Sequence, residues 1–151
     1  MIWLNDLNEK YIALINGPNL NLLGERDPGQ YGTTSLKEIE DQVTQLAEKN
    51  GLLTRCYQSN QEGQLIDYIQ DCRRKTVGLI INPGAYSHTS IALRDALSDY
   101  PHPSIEVHLS NIYKREPFRQ QSYISAVVDG IICGLGETGY TLALHALLSC
   151  I

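Results

Sequence analysis

Apolar residues recur along the chain with two different periods, and the period switches repeatedly. Residues 11–16, YIALIN, are apolar up to their last position, with no polar alternation. VGLIIN, 77–82, reads the same way, as expected for strands of a parallel sheet covered on both faces. Between them, SLKEIEDQVTQLAEKNG carries Leu36, Ile39, Val43, Leu46 and Ala47 at helical spacing. Ser35 and Glu38 form a capping-box pattern at its start, and Asn50-Gly51 supplies a left-handed stop. LLTRCYQ then reads as a strand, and QLIDYIQDCRR as a helix whose inner face is Leu65, Ile66, Ile69 and Cys72. Further on, TSIALRDALSDY is helical, SIEVHLS a fourth strand, AVVDGIICG a fifth and TGYTLALHALLSC a closing helix.

Strands separated by helices throughout predict an α/β fold: a flavodoxin-like, doubly wound five-stranded parallel sheet in a three-layer α/β/α sandwich. VGLIIN should be its central strand. A length of 151 residues fits one domain, 1–151, within which 1–10 read as a variable N-terminal extension. Open sheets of this kind bind ligands beyond the carboxyl ends of their strands. That rule singles out Asn16 with the segment after it, Asn82 with PGAYSHTS, and EVHLSN running into IYKREPFR. The segment after the first strand, GPNLNLLGERDPGQYG (17–32), has no helix-forming pattern. It far exceeds the usual strand-to-helix loop of about 2 to 6 residues, which is the mark of a lid or binding loop.

A net charge of −5 and a pI near 5.3 argue against a nucleic-acid partner, which would need a basic stripe, and no Lys/Arg cluster is expected. No run approaches the roughly 18 apolar residues of a membrane span, and MIWLNDLNEK lacks the pattern of a targeting segment. A soluble, cytoplasmic protein is expected. Cys56, Cys72, Cys133 and Cys150 lie in or beside apolar runs without metal-ligand spacing, which predicts buried reduced thiols and no metal site.

Several polar groups could carry chemistry. Tyr31 follows Arg26 by five residues in the glycine-punctuated loop. A phenol of pKa about 10 is a poor base at neutral pH, but a neighbouring guanidinium favours the phenolate, which could take a proton from carbon. Alternatively, Tyr31 anchors the loop while Arg26 pairs with Glu25 or Asp27. Glu106 and His108 are two apart in a strand and share a face, so the carboxylate could hold one imidazole tautomer of a general acid or base. A polar pair at a strand end is the plainer reading. The backbone amides following His108 could meet an anion. Ser87, His88, Thr89 and Ser90 cluster at a helix start, where Ser87 or Thr89 would serve as the cap. Arg115 and Arg119, four apart, could clamp an anionic ligand or form a solvated face. His102 and His145 look structural.

Taken together, INGPNLNLLGERDPGQYG, INPGAYSHTSIALRDAL, IEVHLSNIYKREPFRQQSYIS and GLGETGYTLALHAL closely resemble the type II 3-dehydroquinate dehydratases over residues 11 to 149. The resemblance implies a lyase that reversibly dehydrates 3-dehydroquinate to 3-dehydroshikimate by anti elimination through an enolate, without a cofactor. It makes Tyr31 the base for the C2 proton, Arg26 the group that lowers its pKa, and Asn19 the holder of a water at the enolate oxygen. His108, paired with Glu106, becomes the acid for the departing hydroxyl. Asn82 and the amides of Leu109 and Ser110 match the carboxylate site, and His88 and Arg119 the hydroxyl sites. Arg115 matches a second lid-side arginine, and Asp95 an aspartate that reaches a neighbouring subunit in a dodecamer of four trimers. The unrelated type I enzymes use a Schiff-base lysine, whereas all five lysines here lie in polar surroundings. The competing possibilities are a flavin-binding electron carrier, disfavoured by the lack of a phosphate-cradling glycine motif, and a non-catalytic ligand-binding relative.

Overall fold

The computed structural model describes residues 10–151, so nearly all of the expected extension lies outside the described residues. Five parallel strands, β1 Tyr11–Asn16, β2 Leu53–Gln58, β3 Thr76–Asn82, β4 Ser104–His108 and β5 Gly130–Cys133, form one sheet in the order β2-β1-β3-β4-β5. β3 is the central strand, as its unbroken apolar run requires. Alternate residues of β1 serve opposite faces. Ile12 and Leu14 pack under helices α2 (Leu36–Lys49) and α5 (Thr138–Leu148), while Ala13 and Ile15 pack under α3 (Glu62–Cys72) and α4 (Ile91–Ser98). Burying each such aliphatic side chain contributes about 1.5–3 kcal/mol, and two clusters of them make the three-layer sandwich.

The local signals at α2 hold. Ser35 Oγ accepts from the Glu38 amide at 3.2 Å, while the Glu38 carboxylate accepts from the Ser35 amide at 2.7 Å. Gly51, at φ +76°, provides the left-handed turn after it. Four expectations need correction. Segment 17–32 does contain helix: a 3-10 turn over Leu20–Leu22 and α1, one turn over Pro28–Tyr31, where proline sits at the helix start. No α-helix joins β4 to β5; two 3-10 turns, Ile112–Lys114 and Pro117–Arg119, occupy that crossover because Pro117 and a charged stretch interrupt any 3.6-residue apolar period. Of the thiols only Cys72 is buried: Cys56 lies beside α2 on β2, an edge strand with a neighbour on one side alone, and is exposed, Cys133 is half-buried, and Cys150 follows α5. Finally, Arg73, Arg74 and Lys75 do form a cluster, a short basic patch on a groove after α3.

After β1 the chain turns one way to β2, and after β3 the other way to β4, so the two loops diverge and leave a crevice. The loops are pinned at their base. Gly17 donates its amide to Asn82 O at 2.8 Å, and a Cβ on Gly17 would lie 2.4 Å from Pro83 O, so only glycine permits the approach.

Candidate active site

The crevice is a cleft of about 180 Å3 lined by Asn19 and Leu20 after β1, Arg26 and Tyr31 from the long loop, Asn82, Ala85 and His88 after β3, and Leu109, Arg115 and Arg119 after β4. Eight residues expected from the sequence therefore meet in one place. Ser110 adjoins them, its hydroxyl 3.4 Å from Arg115 Nη1. Asp95 does not: it is exposed on α4 and outside the lining of the cleft.

Arg26 makes no ion pair with Glu25 or Asp27. Its guanidinium carbon lies 5.5 Å from the centre of the Tyr31 ring, and that of Arg115 lies 5.5 Å from the same ring. Two positive charges thus lie close to one half-buried phenol. The Arg115 Nε is buried without a partner among the described residues, which leaves a desolvated donor at the cleft wall. Arg119, by contrast, is engaged at the surface with Glu116. Arg115 directly follows the first 3-10 turn and Arg119 closes the second, rather than both standing on one helix, and both still reach the cleft.

Glu106 and His108 are outside the lining of the cleft and form a buried dyad. Glu106 is wholly buried, and its Oε1 accepts from His108 Nε2 at 2.6 Å. The donation places a proton on Nε2 and leaves Nδ1 as the nitrogen available to a ligand. Ser122 Oγ donates to Oε1 at 2.6 Å and Ser125 Oγ to Oε2 at 2.5 Å. Burial pushes the Glu106 carboxyl up, but the bonds from His108, Ser122 and Ser125 outweigh it and hold the group below the ordinary carboxylate range. Glu106 is therefore a carboxylate at neutral pH. Nothing local in QQSYIS marks either serine, because their partner is 16 and 19 residues away.

The His88 ring centre lies 6.4 Å from that of His108. His88 Nδ1 donates to Gln121 O at 2.7 Å, so the neutral ring presents Nε2 as an acceptor. Burial chiefly, with His108, Arg119 and Arg115 nearby, lowers its pKa from the ordinary value despite that bond. The helix cap expected at Ser87 or Thr89 falls instead to Ser90, which accepts from the Leu93 amide at 2.9 Å, because α4 starts only at Ile91. Ser87 donates to Gly84 O at 3.0 Å.

Asn82 belongs to a chain of side chains that the sequence did not reveal. Its Nδ2 donates to Tyr140 Oη at 2.9 Å, and Tyr140 donates to Asn16 Oδ1 at 2.6 Å. The Asn82 Oδ1 accepts from the Gly84 amide at 3.1 Å, leaving one Nδ2 hydrogen for a ligand. Asn16, expected at the rim, is wholly buried and faces Tyr140 instead. Burial pushes the Tyr140 phenol above its ordinary range, which keeps it a donor. No cluster of three or more His, Cys, Asp or Glu able to hold a metal occurs among the described residues. No described helix is long and apolar enough to cross a membrane.

A phenol beside two guanidinium groups in a small polar cleft, with a carboxylate-backed imidazole whose ring centre lies 6.4 Å from that of the cleft residue His88, suits acid–base chemistry on an anionic, hydroxylated molecule. Known proteins agree with that chemistry. The family profile described as dehydroquinase class II matches residues 10–148. A 3-dehydroquinate dehydratase 2 of Pseudomonas aeruginosa is 52% identical over 134 residues, which are 89% of this chain and 90% of that one. A 3-dehydroquinate dehydratase of Mannheimia succiniciproducens is 54% identical over 132 residues, 87% of this chain and 88% of that one. The crystal structure of a type II dehydroquinase from Butyrivibrio crossotus superposes with a TM-score of 0.90 at 42% identity, over 93% of this chain and 98% of that one. Profile, identity along nearly the whole length and shared fold lead to one conclusion: this chain belongs to the class II dehydroquinase family.

Proposed function

We propose that the chain removes water from 3-dehydroquinate, giving 3-dehydroshikimate in the shikimate pathway, by an anti elimination in which Tyr31 is the base and His108 the acid. The observation that carries this reading is the placement of Tyr31 beside Arg26 and Arg115 in the same cleft that His88 and Asn82 line, with the His108–Glu106 dyad next to His88. The Tyr31 oxygen takes the C2 proton beside the ketone, and the two guanidinium groups stabilise the negative charge on that oxygen. Electron density moves onto the ketone oxygen as an enolate, which Asn19 stabilises through a held water. Collapse of the enolate expels the C1 hydroxyl, which leaves as water with the proton from His108 Nδ1. Glu106, held ionised, stabilises the imidazolium before that transfer.

Asn82 and the chain after β4, at Leu109 and Ser110, hold the substrate carboxylate in this scheme, while His88 and Arg119 hold ring hydroxyls. Arg115 completes the lid-side charge. Asp95, exposed on α4, serves a neighbouring subunit's site in a dodecamer of four trimers. Residues 1–151 act as a single catalytic domain with 17–32 as its lid. A cytoplasmic location accords with four unpaired cysteines.

The test is ultraviolet absorbance of 3-dehydroquinate with wild-type protein and with Tyr31→Phe. The wild type should produce the conjugated enone, and the folded variant should be slower by at least about 100-fold. Wild-type turnover with an unimpaired variant would move the base elsewhere; no enone from the assembled wild type would refute the activity. Sedimentation velocity addresses assembly, and a fully active monomer would remove the role given to Asp95.

A further inference from the structure

The loop carrying Asn19 is built around an unusual backbone. Asn19 and Asp27 are the two non-glycine residues with left-handed φ among the described residues, and Asn19 sits at φ +66°. Such a conformation persists only where surrounding structure holds it. At Asn19 the hold comes from another loop. The Asn19 amide donates to Asn60 Oδ1 at 2.9 Å, across 41 residues of sequence. Gln58 Nε2 donates to the same Oδ1 at 3.2 Å and to Gly17 O at 3.1 Å. Asn60 is itself tied down, because Tyr86 Oη donates to its carbonyl at 2.6 Å. Three strand-end loops, after β1, β2 and β3, are thereby laced together at Asn60, the first through its side-chain oxygen and the third through its main-chain carbonyl. Meanwhile the Asn19 side chain caps nothing in the following 3-10 turn and lines the cleft.

We infer that Asn60 is a positioning residue for the dehydration: its Oδ1 fixes the left-handed backbone of Asn19 and so aims the Asn19 side-chain carboxamide into the cleft. The inference rests on the role proposed above for Asn19. The part Asn60 plays is that of an acceptor, so any side chain presenting a similarly placed oxygen will serve. Asn60 also divides the long loop. Residues 17–19 are pinned to the β2 and β3 loops, and the portion carrying Arg26 and Tyr31 lies beyond the pinned stretch.

Two measurements on the assembled enzyme test it: enone formation, and hydrogen–deuterium exchange of a peptide spanning residues 17–23. Asn60→Asp keeps the acceptor oxygen and should stay within about threefold of wild type in kcat, whereas Asn60→Ala should lose about tenfold or more with KM little changed. Exchange at the Asn19 amide should quicken in Asn60→Ala and not in Asn60→Asp. In an Asn19→Ala background, Asn60→Ala should change kcat by less than about twofold, because the group it aims is gone. Equal impairment of the two Asn60 variants overturns the inference. So does an undiminished kcat in Asn60→Ala, or an equal loss in both backgrounds. Full activity of Asn19→Ala removes the role of Asn19 and the inference with it. Wild type that makes no enone overturns the dehydratase reading instead, and the hold on Asn19 then stands or falls on exchange alone.

Discussion

Replacing Tyr140 by phenylalanine removes one oxygen from the interior and leaves the ring in place. Tyr140, Asn16 and Asn82 are all buried, and the hydroxyl serves both amides, accepting from Asn82 Nδ2 at 2.9 Å and donating to Asn16 Oδ1 at 2.6 Å. The Asn16 Nδ2 already has no partner, so the site has no spare group to make good the loss. Each stranded donor or acceptor costs about 1–3 kcal/mol, offset by the hydroxyl no longer needing desolvation, which gives about 3 kcal/mol in all. For 151 residues, about 2–4 °C per kcal/mol translates this into a Tm lowered by about 6–12 °C. Tyr100→Phe is the matched control. Its hydroxyl meets only Thr76 Oγ1, at 2.6 Å, and Thr76 keeps its bond to Cys72 O at 2.8 Å, so about 1 kcal/mol is expected there. Urea unfolding of both variants at one protomer concentration gives the comparison, with m checked for constancy. A Tyr140→Phe loss no larger than that of Tyr100→Phe would refute the reasoning. Because Asn82 is proposed to bind the substrate carboxylate, Tyr140→Phe should also raise KM more than it lowers kcat.

Glu106→Gln removes the anion behind His108 and should lower kcat by about 100-fold. It should also flatten the acid limb of stability: the carboxyl is held below its unfolded value, so its contribution is complete above the ordinary glutamate range near pH 4.5 and disappears as pH falls through the lower folded value. Urea midpoints from pH 7 down to 3 measure this, and parallel curves for the two proteins would contradict it. His88 should titrate below 6.5, the ordinary value, when followed by NMR. Its neutral folded form contributes stability present above about pH 6.5 and lost as the pH falls toward the folded pKa; a midpoint above 6.5 would show that the imidazole is not desolvated as described.

The sequence by itself determined what depends on neighbours a few residues away. Ser35 and Glu38 set the start of α2, Gly51 its end, and the unbroken apolar run of 77–82 the burial of β3, because capping and periodicity act over three or four positions. The spacing of Glu106 and His108 put them on one face of a strand, and the length of 17–32 singled out a segment whose Asn19, Arg26 and Tyr31 line the cleft. Local signals failed where competition was not local. Ser90 rather than Ser87 or Thr89 caps α4, and the exposure of Cys56 followed from β2 being an edge, which no window of sequence records. The supporting groups of the cleft were invisible for the same reason. Tyr140 reaches Asn16 across 124 residues, Asn60 reaches Asn19 across 41, and Ser122 and Ser125 reach Glu106 across a crossover that carries no α-helix. A hydroxyl or amide shows no local sign of the partner it will meet. Only the strand order β2-β1-β3-β4-β5, by parting the loops after β1 and β3 and bringing those after β2 and β4 alongside, decided which polar groups would share the low-dielectric interior, where every donor and acceptor needs a partner.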